Sequence, residues 1–267
     1  MKRPYQEPAT PPKRSHLGAT RSALATVRAM TATNHYERIA AHDGGSFDAY
    51  CAIPVSGKGP GIILFQEIFG INDNMRGLAD RLAAEGYVVL VPDMFWRIEP
   101  RFERKDESTI GEAFAVMMQF DAALGSADIA ATHLHLHSMA QCSGKVGAVG
   151  FCLGGALTFN AAATSKADGH GIDAAVCYYG SGINDMLALA GSITCPTMYH
   201  YGSNDAFIPE ANIDAVEAAV AGRPGVEFHR YDAGHAFSNW DAPSMYNEAA
   251  ATQAWNRTLT FFATNLR

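Results

Sequence analysis

The sequence predicts an α/β fold, a mostly parallel twisted sheet flanked by helices. Two observations carry this. The continuous apolar run 61–65 reads as a buried parallel strand, and 87–91 and 145–149 read as further strands. Stretches of helical character separate them, and strands spaced that way call for right-handed βαβ crossovers. Taken in order, residues 36–40 and 47–53 alternate polar and apolar. They form an antiparallel opening pair around the turn Asp43-Gly44-Gly45. Residues 74–85 are helical and end at Gly86, and the strand 87–91 stops at Pro92. Residues 92–110 are a polar, aromatic excursion without a clear period. Residues 112–124 and 128–139 read as helices, and 145–149 as the next strand. Residues 173–179, 197–201 and 226–231 are further strands, and helices fall near 184–189, 210–221 and 244–264.

A chain of 267 residues, 48% hydrophobic, suits one large domain with a sizeable core. Twenty basic against 27 acidic side chains, a formal charge of −7, argue against a nucleic-acid surface. No apolar run is long enough to span a membrane. The five cysteines are odd in number and include no Cys-x-x-Cys pair. With no secretory signal evident, the expectation is a reduced, cytoplasmic protein with at least one free thiol, a monomer or small homo-oligomer. Residues 1–33 are expected to be a disordered extension. Residues 1–30 hold Pro4, Pro8, Pro11 and Pro12, several basic residues and Glu7 as the acid. A start at Met30 and an Arg- and Ser-containing transit peptide are the other readings. Residues 34–267 are expected to form the single folded domain.

The run Val146-Gly147-Ala148-Val149-Gly150-Phe151-Cys152-Leu153-Gly154-Gly155 is the most informative stretch. It reads as strand, tight turn and helix start, the nucleophile-elbow pattern of α/β-hydrolases with a thiol in place of the usual serine. A nucleophile raised on such a turn has a strained backbone. Glycines two before and two after it remove Cβ atoms that would clash with neighbouring backbone. The following helix aims its N-terminal partial positive charge at the sulfur. A buried structural cysteine at a strand end would share the pentapeptide. The partners decide between the two. In this fold the acid and then the histidine follow the nucleophile along the chain, each just past a strand. Asp205 lies in Gly202-Ser203-Asn204-Asp205 after strand 197–201, and His235 in Ala233-Gly234-His235 after strand 226–231. The triad is therefore read as Cys152, Asp205 and His235. The loop after strand 61–65 supplies half of an oxyanion hole, so the donors are the backbone N–H groups of Ile68 and Leu153. Glu67, in the same loop, faces the nucleophile and is read as a group that interacts with Cys152 and controls its protonation.

Gln66-Glu67-Ile68-Phe69-Gly70, Pro92-Asp93-Met94-Phe95, Gly150-Phe151-Cys152-Leu153-Gly154-Gly155, Gly202-Ser203-Asn204-Asp205 and Ala233-Gly234-His235-Ala236-Phe237 together resemble the dienelactone hydrolase family, the carboxymethylenebutenolidases. The resemblance runs from about residue 36 to the C-terminus. It implies a single-domain α/β-hydrolase with a Cys-Asp-His triad and no cofactor. It also implies that Glu67 helps form the thiolate when substrate binds, and that the substrate is a small ester or lactone. One departure stands out. The arginines with which the family holds a substrate carboxylate correspond here to Asn239 and Ile110. Neither supplies a charged fork. Arg97, Arg101 and Arg104 of the excursion are the cations left to replace them. Phe69, Trp96, Phe114, Phe207, Phe237 and Asn239 are expected to line a more apolar pocket. A broad carboxylesterase or thioesterase on the same fold, and a non-catalytic redox sensor using Cys152, are the competing readings. His133 and His137 share a helical face, but no acid or cysteine lies at useful spacing, so no metal is expected there. Cys51, Cys142, Cys177 and Cys195 lie in or beside strand-like text and read as structural.

Overall fold

In a computed structural model, the structure describes residues 31–105 and 107–267. Residues 1–30, on which the readings of an extension, an alternative start and a transit peptide fall, lie outside it. An eight-stranded sheet forms the centre. In chain order its strands are β1 (Thr31–Ala40), β2 (Ser46–Pro54), β3 (Gly59–Phe65), β4 (Val88–Pro92), β5 (Cys142–Phe151), then β8 (Ala174–Tyr178), β9 (Thr197–Gly202) and β10 (Val226–Tyr231). The spatial order is β1-β2-β4-β3-β5-β8-β9-β10. The pairs β1–β2 and β2–β4 are antiparallel, and every other neighbour is parallel. The expected antiparallel opening and parallel body are both present. β1 begins at Thr31, ahead of the boundary expected at residue 34.

The central strands are apolar along their whole length because both faces are covered. Ile62, Ile63, Leu64 and Phe65 of β3 are all fully buried. Helices α1 (Asp73–Ala84) and α6 (Glu248–Leu266) pack into the same core as Leu64, Val149 and Val176. On the other face, α3 (Ala122–Ser138) covers Cys51, Leu90 and Ala148. Asparagine caps start α1 and α6: Asn72 accepts from the Met75 N–H and Asn247 from the Ala250 N–H.

Several boundaries differ from expectation, each for a local reason. One helix was expected over 112–124. The chain instead makes α2 (Ile110–Met117), turns, and starts α3 at Ala122. Asp121 causes the break, because its carboxylate accepts from the N–H groups of Ala123 and Leu124 and caps a new helix. The helix near 184–189 is a 3₁₀ turn over Ile183–Ser192. The last helix starts at Glu248 rather than 244, where Asn247 caps it. A small hairpin, β6 (Lys166–Ala167) with β7 (His170–Gly171), follows α4 (Leu153–Thr164) and was not anticipated. The helix α5 spans Glu210–Val220. No helix among the described residues is long and apolar enough to cross a membrane.

Candidate active site

The carboxyl ends of five parallel strands converge on one spot. Glu67 lies two residues past β3, Cys152 directly after β5, Ser181 past β8, Asp205 past β9 and His235 past β10. Strand order alone brings β3, β5 and β8 side by side, so residues distant in sequence share one rim.

Cys152 sits at φ 55° and ψ −116°, a strained position between strand and helix. Its carbonyl accepts from the N–H groups of Gly155 and Ser181, and its own N–H donates to Tyr178. The flanking glycines are required by close approach rather than by φ. A Cβ on Gly150 would lie 2.1 Å from the Gly154 carbonyl oxygen, and one on Gly154 would lie 2.3 Å from that of Phe65. The elbow thus fits only because both side chains are absent. The thiol is partly accessible, and its sulfur lies 3.7 Å from the Ser181 hydroxyl.

Asp205 and His235 are joined. Asp205 Oδ2 lies 2.8 Å from His235 Nδ1, while Oδ1 accepts from the N–H groups of Phe207 and Ile208 at 2.8 and 2.9 Å. With its carboxylate fixed by the loop backbone, Asp205 in turn fixes the ring. His235 is almost wholly buried, packed beside Tyr179 and Phe207 with ring centroids at 5.1 and 5.2 Å. Burial works against its charged form, but the Cys152 sulfur and the Asp205 carboxylate outweigh that and push the imidazole up to about 10. The ring is therefore suited to hold a proton beside a sulfur anion.

Glu67 is fully enclosed. Its carboxylate accepts from Asn239 Nδ2 at 2.6 Å and from the Tyr179 hydroxyl at 3.2 Å. Burial raises its proton affinity above the usual carboxylate range, and His235, Asn239 and Tyr179 offset that only in part. Among the described residues neither oxygen of Glu67 is hydrogen-bonded to Cys152. Asn239 and Tyr179 hold the carboxylate instead. Gln66 anchors the same loop by accepting from the Met94 N–H at 3.1 Å.

A cavity of about 200 Å³ opens above the thiol. Cys152, His235, Glu67 and Ser181 supply its polar groups. Ile68, Phe69, Leu153, Ile110, Phe114, Met117, Phe207 and Met245 supply most of the apolar wall. Phe114 and Phe207 stack across it with centroids 6.5 Å apart. Among the described backbone groups, the N–H groups of Ile68 and Leu153 donate to no other backbone carbonyl outside the regular elements. Both residues line the cavity.

Three expected pocket residues lie elsewhere. Trp96 stacks on Phe47 at 5.6 Å and donates from Nε1 to Asp128, so the start of the excursion packs against α3 rather than over the thiol. Phe237 is fully buried among Tyr178, Tyr179 and Tyr231, beneath the site. Asn239 is buried against Glu67 and does not face the cavity. The excursion's arginines also point away. Arg97 pairs with Asp43 and Asp128, Arg101 with Asp48, and Arg104 with Glu112. Sequence reasoning missed Ser181 and Tyr179. Both follow the strand beside the elbow strand, and inspection of every strand's carboxyl end would have found them. His133 is buried against Ser165 at 3.0 Å, and His137 stacks on His170, so those two histidines are spent on packing.

Comparison with known proteins agrees with this architecture. The model of the dienelactone hydrolase family matches residues 47–266. A carboxymethylenebutenolidase from Pseudomonas sp. (strain P51) is 36% identical over 216 residues, covering 80% of this chain and 89% of that protein. A putative carboxymethylenebutenolidase from Azospirillum brasilense is 37% identical over 242 residues, 85% of this chain and 97% of that one. The crystal structure of a putative dienelactone hydrolase from Klebsiella pneumoniae superposes with a TM-score of 0.73 at 28% identity, covering 86% of this chain and 98% of that one. The fold is that of an α/β-hydrolase and the chain is a hydrolase: it belongs to the dienelactone hydrolase family.

Proposed function

We propose that the chain hydrolyses small, uncharged esters or lactones through an acyl intermediate on Cys152. The observation that carries this reading is the cavity at the thiol. His235, tied to Asp205, stands beside it, and no Lys or Arg is among its described lining residues.

In this reading His235 takes the thiol proton and the resulting thiolate attacks the carbonyl carbon. A C–S bond forms, and the carbonyl electron pair moves to oxygen. The N–H groups of Ile68 and Leu153 bind that oxyanion, each typically worth about 3 kcal/mol of barrier. The tetrahedral species collapses, the alkoxide leaves, and His235 returns the proton to it. A water then loses a proton to His235 and attacks the acyl carbon. The C–S bond breaks and the acid departs, ring-opened if the substrate was a lactone. Asp205 holds the ring in the tautomer that leaves Nε2 free for both transfers. Glu67, held by Asn239 and Tyr179, supplies a buried negative charge that favours the imidazolium during attack.

A substrate carboxylate would find no Lys or Arg among the described residues of this wall and would meet Glu67. Each charge-assisted bond that an arginine would have made is worth about 1.5–3 kcal/mol. The chain should therefore prefer short nitrophenyl esters and neutral lactones over carboxylated dienelactone by at least about tenfold in kcat/KM. A panel of dienelactone, nitrophenyl acetate and butyrate, a neutral lactone and an acyl thioester tests this. Dienelactone as the best substrate by a wide margin would overturn the reading of Asn239 and Ile110. Reversible oxidation of Cys152 with no turnover of any substrate would favour a redox sensor.

A further inference from the structure

We propose that His35, Glu37, Cys51 and His135 form a site for a divalent transition metal, with Zn²⁺ as the ion their chemistry suits. Three elements bring them together. His35 and Glu37 are two residues apart on β1 and so project from one face. Cys51 lies directly opposite His35 on β2. His135 reaches them from the last turn of α3. One ligand atom from each of His35, Glu37 and Cys51 lies within 4.8 Å of the others, while His135 stands outside this group of three and would swing in as the fourth ligand. The Glu37 carboxylate bridges the two imidazoles, with Oε1 2.7 Å from His35 Nε2 and Oε2 3.7 Å from His135 Nε2.

Two further observations favour a ligand here. His35 Nδ1 is buried and is one of the few polar side-chain atoms left without a hydrogen-bond partner among the described residues. Among the described residues Glu37 is the hydrogen-bond partner found for that ring, and a metal would supply a further one. Cys51 is a fully buried free thiol, while His35, Glu37 and His135 each keep about a third of their side chain in solvent. The cluster is thus closed on the thiol side and open to an entering ion on the other.

The donor set is one imidazole, one carboxylate and one thiolate, with His135 available for a fourth position, which matches the N, O and S ligands that Zn²⁺ takes. Coordination forms an S–metal bond and releases the Cys51 proton to solvent. The two anionic ligands then balance the dication. Because the thiol must lose its proton to bind, affinity rises with pH. None of the four residues lines the cavity at Cys152. A bound ion would tie the edge strand β1 to α3 and act on stability rather than on the reaction.

The test is a titration of the full chain with Co²⁺, followed by thiolate-to-cobalt charge-transfer absorption and then by displacement with Zn²⁺. One Co²⁺ per chain is expected, with the thiolate band present in the wild type and in Cys152→Ser. Cys51→Ser should lose the band, and His135→Ala should weaken binding at least about tenfold. Should Cys51→Ser fail to fold, the part-exposed variants His35→Ala and His135→Ala decide by their loss of affinity. Absence of binding, wild-type affinity in both histidine variants, or a band lost only in Cys152→Ser would overturn the proposal.

Discussion

Glu67 carries an unusual electrostatic load for a single side chain. Among the described residues it is buried without a lysine or arginine partner, and two neutral donors, Asn239 and Tyr179, satisfy its two oxygens. An ionised carboxylate only accepts, and with both oxygens, so donors on each favour the charged form while burial opposes it. Removing Asn239 tests that balance. Asn239→Ala leaves one buried oxygen unmet, at a cost of about 1–3 kcal/mol, and moves the Glu67 proton affinity further up. Urea denaturation should show the lost stability, and the acid limb of the kcat/KM profile should shift to higher pH. His235 gives a second prediction. The Cys152 sulfur helps hold its imidazole at about 10, so Cys152→Ser should lower the ring's titration midpoint, read from its proton resonances in NMR. An unchanged midpoint would mean that sulfur and ring are not electrostatically paired. At this scale the meeting of Cys152, Asp205 and His235 was legible because each follows within four residues of a strand end. Asn239, Trp96 and Phe237 were misread because sequence does not tell which face of a loop turns toward the cavity. Asn239 turns to Glu67 and Trp96 to Asp128, partners 172 and 32 residues away.

The elbow shows what an element can demand. Strand β5 and helix α4 meet at Cys152 with neighbouring carbonyls pressed against Gly150 and Gly154. Gly154→Ala would drive a methyl group to 2.3 Å from the Phe65 carbonyl, which belongs to backbone and cannot rotate away. The expected outcome is a loss of several kcal/mol in stability together with near-complete loss of esterase activity, by analogy with overpacked sites that cost about 1–3 kcal/mol where side chains can still move. Thermal melting and nitrophenyl acetate turnover measure both. A folded and fully active Gly154→Ala chain would contradict this account of the turn. Strands were easier to read than helix ends. An apolar run buried on both faces is visible in β3 or β4, whereas the split between α2 and α3 depends on one carboxylate, Asp121, bonding two backbone N–H groups. The hairpin β6–β7 was missed because two-residue strands leave no periodic signal.

Across the whole molecule, pH acts through histidines that burial keeps neutral. His133 is held down to about 4 by burial, with His137 adding to the effect, and burial drives His200 far below its usual range. A histidine depressed in the folded state binds fewer protons there than when unfolded. Between about pH 6.5, the unfolded value, and pH 4 the unfolded chain therefore takes up protons that the folded one refuses. Stability from His133 is full above pH 6.5 and falls as pH drops through that window. His133→Gln should flatten the decline in urea midpoint between pH 7 and pH 5, with an unaltered slope as the contrary result. The architecture itself was readable, because apolar strands and helical spacers fix a parallel sheet and that sheet places five strand ends around one thiol. The central claim is that this thiol carries the acyl group. Rapid acid quench of the chain during nitrophenyl acetate turnover, with peptide mass spectrometry, tests it most directly. The account predicts an acetyl group on Cys152 that forms within a turnover and disappears as substrate is exhausted. Sustained turnover with Cys152 never acetylated, or undiminished turnover by Cys152→Ala, would contradict it.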